Sequence, residues 1–395
     1  MASRIYFDHS ATTPLDPRVF SAMAPHLSSA AGNPSSPHHE GRQARQAVEF
    51  ARGQVAELLG ADPAEILFTA SGTEADNLAL LGALRARHLS ESHIITTAIE
   101  HPAVLETCRA LERRGVSLTL LPVDGHAQVD PSALCAAIRP ETRLVSVMAA
   151  NNLVGTLQPI AELAAITKAQ GALFHTDAVQ AAGKIPLNVK YLPADLISLS
   201  AHKLHGPQGI GALYVRGGVT LDPILFGGGQ ERGLRPATEN VAAIVGFGMA
   251  AALAAAEIHS EAARLSALRG RILSGLRARL PHATLLGHPV ERLPGHLCLG
   301  FPGHEGDMPA LVIALDEAGV AVSSSSACST AKAGAPAPVL QAMGLSADRA
   351  RGFLRVTLGR FSTERDADRF LDLLPQAVSS LPSTRQAETF SATPG

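Results

Sequence analysis

Between Pro63 and Val215 short apolar runs alternate with amphipathic stretches, and this alternation constrains the fold more than any other feature of the chain. The runs are Ile66–Thr69, His93–Thr97, Ser117–Leu121, Leu144–Met148, Leu173–Thr176, Leu196–Leu199 and Gly211–Val215, each four or five residues long. The stretches 75–88, 102–114, 131–138 and 159–170 place apolar residues three and four apart, and three of them open on proline. Strands that alternate with helices in this way form βαβ units on a mostly parallel sheet. The expected core is therefore an α/β domain with a seven-stranded sheet sandwiched by helices.

With 395 residues the chain exceeds one ordinary domain, so a large and a small domain are expected. The Ala- and Gly-rich run Val241 to Ile258 reads as a buried helix, followed by a charged amphipathic helix from Glu257 to Leu280. A strand at Leu297–Phe301 and a helix at Met308–Glu317 then suit a smaller α+β domain. The expected division is 15–256 for the large domain, 1–14 with 257–380 for the small one, and 381–395 as a mobile tail. The first forty residues hold a short strand at Ile5–Phe7 and many helix breakers, so they are expected to wrap from one domain to the other.

Thirty-three basic residues against 35 acidic ones leave a formal charge of -2, which provides no general field for nucleic acid or an anionic membrane. No CxxC pair occurs among the four cysteines, so neither a disulfide framework nor a thiolate zinc site is suggested. An acidic residue, Asp8, appears before any apolar secretory core, and a cytoplasmic setting is expected. Cys108, Cys135 and Cys298 sit in apolar patterns and are expected to be buried, inert thiols.

Only five lysines occur. Lys168, Lys184 and Lys190 read as solvated surface amines, whereas Lys203 follows an apolar strand in Ser198-Leu-Ser-Ala-His-Lys203, at the end where open α/β sheets bind ligands. An amine desolvated there becomes a Schiff-base nucleophile. Asp177 ends the preceding strand, where a carboxylate can keep a pyridinium nitrogen protonated. In Ala70-Ser-Gly-Thr-Glu74 a small turn enters a helix, so backbone N–H groups and the Thr73 hydroxyl can cradle a phosphate.

These motifs, with Tyr6-Phe-Asp-His-Ser-Ala-Thr-Thr-Pro14, Gly32-Asn-Pro-Ser35, Glu100-His-Pro-Ala103, Asn151-Asn-Leu-Val-Gly155, Gly227-Gly-Gly-Gln-Glu-Arg-Gly233, Ser324-Ser-Ser-Ala-Cys-Ser329 and Leu354-Arg-Val-Thr-Leu-Gly-Arg360, run from end to end of the chain. Together they resemble the cysteine desulfurases of the class V aminotransferase family, which are fold-type I pyridoxal phosphate enzymes. The resemblance implies that Lys203 holds pyridoxal phosphate covalently and moves the substrate α-proton, and that Asp177 pairs with the ring nitrogen. It also implies that Gln180 meets the ring hydroxyl, with Asn152 on the same edge and His101 over the ring face as an acid-base helper. Gly72, Thr73, Ser200 and His202 would bind the phosphate, and Arg355 the substrate carboxylate. Thr238 would reach the cofactor of a partner subunit, which implies a homodimer with shared active sites.

Cys328 separates desulfuration from other chemistry of this family. Its surroundings, Val322 to Pro338, consist of small residues with late prolines and read as a loop able to carry a thiolate into the site. The implied reaction converts L-cysteine to L-alanine and leaves a persulfide on Cys328 for a sulfur acceptor such as an iron-sulfur scaffold. The long loop favours the branch that serves iron-sulfur or nitrogenase-type assembly. Ala201 and Ser324 stand where glycine is common in the family, and 382–395 show no match to a scaffold-docking segment. A selenocysteine lyase, an aminotransferase of the same class and a catalytically silent sulfur-relay subunit are the rival readings. No intrinsic metal site is read, since Pro37-His-His-Glu40 lacks a spaced third ligand. A transient iron-sulfur contact through Cys328 is left open.

Overall fold

The computed structural model describes residues 4–85, 89–324 and 335–381. The chain begins with β1 (Ile5–Tyr6) and two helices, α1 (Pro17–Ser28) and α2 (His39–Leu59). The alternating section follows as β2 (Ile66–Thr69), α3 (Gly72–Arg85), β3 (His93–Thr97), α4 (Pro102–Glu112), β4 (Ser117–Leu121), α5 (Pro131–Ala137), β5 (Thr142–Ser146), α6 (Ile160–Ala169), β6 (Leu173–Asp177), β7 (Leu196–Ser200) and β8 (Gly211–Val215). Then come α7 (Val241–Arg279), β9 (Thr284–Leu285), β10 (His296–Gly300), α8 (Met308–Glu317), β11 (Val320–Ala321), α9 (Pro338–Ala342), β12 (Phe353–Thr357) and α10 (Glu364–Ser379).

The expected seven-stranded sheet is present, in the order β2-β8-β7-β6-β5-β3-β4. Only β8 runs antiparallel to its neighbours β2 and β7. Strands β2, β3, β7 and β8 are buried along their whole length, which explains why their sequences are apolar runs rather than alternations. Strand β5 begins and ends two residues earlier than expected, because Val147 and Met148 belong to the loop that leaves the sheet toward the site.

Helices α1 and α2 were not foreseen. Proline sits at the first position of α1 and the Asp16 carboxylate accepts from Arg18 N–H, so residues that looked like breakers are its start signal. Helix α2 buries Ala44, Val48, Ala51, Val55 and Leu59 and ends at Gly60 with φ 64°. The two stretches expected from Val241 to Leu280 form the single helix α7. By length and composition α7 could cross a membrane, yet the apolar half packs on α1 and α2. A Cβ on Gly248 would lie 2.6 Å from Ala51 Cα, so glycine there permits the close approach to α2.

The far half of α7 belongs to a second core. Leu265, Leu268, Ile272 and Leu276 join Phe7, Leu311, Leu354 and Phe370 there, beside a three-stranded antiparallel sheet of order β12-β10-β9. Each such side chain fully removed from water contributes about 1.5–3 kcal/mol. Strand β1 pairs in parallel with β11, with Ile5 opposite Val320, so the N-terminal segment joins this core before crossing to the large sheet. The step from 256 to 257 proposed as a domain boundary thus falls inside a continuous helix.

Candidate active site

Strands β6 and β7 are parallel neighbours with Asp177 level with Ser198, so Asp177 and the turn carrying Lys203 emerge at the same carboxyl edge. A cavity of about 550 Å³ opens there, within the usual size range of small-molecule sites. Gly72, Thr73, His101, Asn152, Asp177, Gln180, Ser200, His202, Lys203 and Arg355 all line it. Thr238 is exposed and lies outside this cavity, and Cys328 falls outside the described residues.

Lys203 is 9% exposed, and its Nζ donates to the carbonyl oxygens of Ser10 and Ala11, both at 2.6 Å. The N-terminal segment therefore seats the amine, a role its sequence did not disclose. Asp177 is 6% exposed and accepts from Val179 N–H at 2.9 Å. Burial pushes its pKa up, against the pull of His101, that hydrogen bond and Lys203. Two further buried acids lie close by. Asp76, at 1% exposure, is raised by burial and by Asp177, while burial pushes Glu100 up to about 8. Burial favours the neutral form of these acids, and a cation facing Asp177, such as the protonated ring nitrogen of pyridoxal phosphate, would favour its ionised form.

The phosphate end of the cavity also fits. Helix α3 starts at Gly72, and Ser71 Oγ accepts from Glu74 N–H while Glu74 accepts from Ala70 N–H, which fixes the entry turn. The first amides of α3 face the cavity side, where a helix N-terminus favours an anion. A Cβ on Gly72 would lie 2.7 Å from Val179 Cγ2, so only glycine brings this backbone so near β6. Across the cavity His202 Nδ1 meets Thr12 Oγ1 at 3.1 Å, and burial holds the imidazole neutral with a pKa of about 4.

His101 caps α4: its Nδ1 accepts from Ala103 N–H at 3.1 Å, so the neutral ring carries its proton on Nε2. Arg355, 1% exposed on β12, donates to Asp8 Oδ1 at 2.9 Å and to Asn152 O at 3.2 Å. Gln180 Nε2 donates to Ser10 O at 3.0 Å, and its Oε1 accepts from Lys184 Nζ at 3.2 Å. Lys184 is thus no surface amine: it points inward behind the cavity, and burial with Lys203 and Arg355 nearby lowers its pKa to about 7. Cys108 and Cys298 are buried, each pushed up to about 12, but Cys135 is exposed because its face of the short helix α5 meets solvent. No group of three or more metal-ligating side chains occurs among the described residues.

A strand-end Asp beside a strand-turn Lys, with a phosphate-sized helix N-terminus opposite, defines a transferase of the fold-type I class. The chain belongs to the class-V aminotransferase family, a family of pyridoxal phosphate enzymes, whose profile "Aminotransferase class-V" matches residues 5–370. It is 46% identical over 379 residues to the cysteine desulfurase of Trichormus azollae, which covers 96% of this chain and 94% of that protein. It is 45% identical to the cysteine desulfurase IscS of Methanosarcina thermophila over 95% of this chain and 92% of the relative. A solved NifS-like protein superposes with a TM-score of 0.88 at 39% identity, covering 95% and 99% of the two chains. A structure described as SspA in complex with cysteine gives 0.79 at 34% identity, covering 91% and 100%.

Proposed function

We propose that the chain is a pyridoxal-phosphate-dependent cysteine desulfurase that converts L-cysteine to L-alanine and carries the sulfur away as a persulfide on Cys328. The observation that carries this reading is the convergence of ten separated residues on one cavity around Lys203, with the acidic floor at Asp177. The full-length similarity to proteins named cysteine desulfurase supports the reaction.

Bound in the cavity, pyridoxal phosphate would supply an electron sink for charge developing at the substrate Cα. Lys203 would hold it covalently and then move the α-proton with its amine. Asp177 would keep positive charge at the ring nitrogen, Gln180 and Asn152 would hold the ring edge, and His101 would cover the ring. Gly72, Thr73, Ser200 and His202 would hold the phosphate. Arg355 orients the substrate carboxylate with its planar fork. The Cys328 thiolate forms an S–S bond with the substrate sulfur as the C–S bond breaks, and protonation at the carbon left behind completes alanine.

A homodimer goes with this reading. Phe50 and Phe226 are 71% and 77% exposed and Thr238 is exposed as well, which supports a partner covering α2 and the loop after β8. Relatives named IscS support an iron-sulfur assembly protein as the sulfur acceptor, and a thiol that must stay reduced suits the cytoplasm. The test is alanine release from L-cysteine with a reductant present. Wild type should be active, Cys328→Ala inactive with the visible cofactor band retained, and Lys203→Ala inactive without that band. Alanine release surviving in Cys328→Ala would point instead to a lyase or aminotransferase.

A further inference from the structure

Behind Lys203, on the side away from the large cavity, lies a small chamber of about 60 Å³. Lys184 and Lys203 both line it, so the two side chains border one space. Lys184 comes four residues after Gln180 and donates to Gln180 Oε1 at 3.2 Å. Ser10 Oγ also donates to that oxygen, at 3.4 Å, while Ser10 O accepts from both Gln180 Nε2 and Lys203 Nζ. The carboxamide is therefore oriented by its surroundings. If it turned over, its NH2 would face the Lys184 ammonium, and its oxygen would face the Ser10 carbonyl.

We propose that Lys184 is a positioning residue of this site: its ammonium holds the Gln180 amide nitrogen toward the Lys203 side and keeps a second positive charge behind the Lys203 nitrogen. The inference rests on pyridoxal phosphate being held at Lys203, as proposed above. It gives Gln180 one orientation, a donor toward the ring oxygen. It also makes a protonated nitrogen at Lys203 less favourable, because two like charges share a poorly solvated space.

The groups facing Lys184 leave few alternatives for this charge effect. From the N-terminal segment come His9 and Ser10, from the turn after β7 Lys203 and His205, from α7 Glu261, from β10 His296, and from the end of β12 Arg360. Burial holds His9 near a pKa of 3 and His205 near 4, and drives His296 well below its usual value, so the imidazoles stay neutral at working pH. Glu261 is bound by Arg264 Nε at 2.8 Å, and Arg360 by Glu257 at 2.9 Å, so these charges are already matched. Lys184 is left as a positive charge in this chamber that is coupled to both Lys203 and Arg355.

The experiment compares the wild-type holoenzyme with Lys184→Met and Lys184→Arg. In a pH titration of the visible band, Lys184→Met should move the midpoint of the protonated form upward by roughly one unit, and Lys184→Arg should restore it. In apo-protein titrated with pyridoxal phosphate, Lys184→Met should bind roughly tenfold more weakly, the scale of one charged hydrogen bond. An unchanged midpoint and affinity in Lys184→Met would overturn the inference, as would a shift that Lys184→Arg fails to reverse. If Lys184→Met does not fold, acetylation of wild-type protein across pH, read by peptide mass, decides instead. Lys184 should gain reactivity near pH 7, and Gln180→Ala should alter its profile. A profile with no step near pH 7, or one that Gln180→Ala leaves unchanged, would overturn it. A wild type that binds no pyridoxal phosphate would sink the proposed function itself, a separate outcome from these.

Discussion

Arg355 and Asp8 form an ion pair of 2.9 Å at the edge of the cavity, so the guanidinium assigned to the substrate carboxylate already holds a carboxylate of its own chain. A second contact, to Asn152 O, leaves Nε as the nitrogen with no partner among the described residues. Asp8 therefore fixes the plane of the fork and leaves one edge for a ligand. Asp8→Asn should raise KM for L-cysteine roughly tenfold with kcat changed only a few-fold, since it loosens ground-state docking. Arg355→Lys, which lacks the fork, should lose roughly a hundredfold in kcat/KM. A lower KM in Asp8→Asn would mean that Asp8 competes with substrate instead.

Asp177 is a buried acid whose ionised form is favoured by His101, by Val179 N–H and by Lys203 against the cost of burial. Asp177→Asn keeps the shape and removes the charge. Alanine formation should fall roughly a thousandfold, the scale of losing one preorganised electrostatic contact, while the Lys203-bound chromophore remains visible. Equal activity in the two proteins would remove Asp177 from the mechanism.

Glu100 accepts from Thr97 Oγ1 at 2.7 Å and Met148 N–H at 3.0 Å, and its other oxygen is buried without a partner. Burial raises its folded pKa from 4.5 to about 8, so the folded state favours the neutral acid. Its contribution is complete below about 4.5 and is lost as pH rises toward 8. Glu100→Gln imitates the neutral acid. In denaturant titrations of apo-protein, the stability of Glu100→Gln relative to wild type should increase from pH 5 to pH 8 by on the order of 4 kcal/mol. A difference constant with pH would show that Glu100 is ionised throughout.

Glu231 stands in the loop after β8 with φ 44° and is tied down by Arg52 of α2 at 2.7 Å and by Phe68 N–H at 2.8 Å. Both side chains are buried, at 11% exposure for Arg52 and 3% for Glu231. Glu231→Gln leaves the Arg52 guanidinium with only the exposed Glu49 carboxylate, at 3.1 Å, as counter-charge and should cost about 3 kcal/mol in denaturant titrations. A loss below about 1 kcal/mol would mark the pair as one that solvent readily replaces.

The sheet was legible because strands covered on both faces are rich in apolar residues, as β2 and β8 show most directly. The phosphate turn, Asp177 and Lys203 were legible because each sits where a strand ends, and chemistry collects at strand ends. Helix α2 was not, since its buried stripe is mostly Gly, Ala and Val, with one leucine, and its one large ring, Phe50, faces outward. The inward turn of Lys184 was equally hidden: nothing local distinguishes it from a solvated lysine, and only the packing of the N-terminal segment and β10 encloses it. The same holds for Ser10 and Ala11, which act through main-chain carbonyls that no side-chain identity reveals.

The seat of Lys203 has a consequence for the order of biosynthesis. Ser10 and Ala11, which hold the amine, belong to a segment whose strand β1 is completed by Val320 and Ala321, more than three hundred residues later. A nascent chain can build the seven-stranded sheet once Val215 has left the ribosome, but its first strand must then wait for β11 and β12 to be made. The Lys203 amine is seated only after β11 and β12 have emerged, so a ribosome-bound chain with its sheet already formed still lacks the completed site.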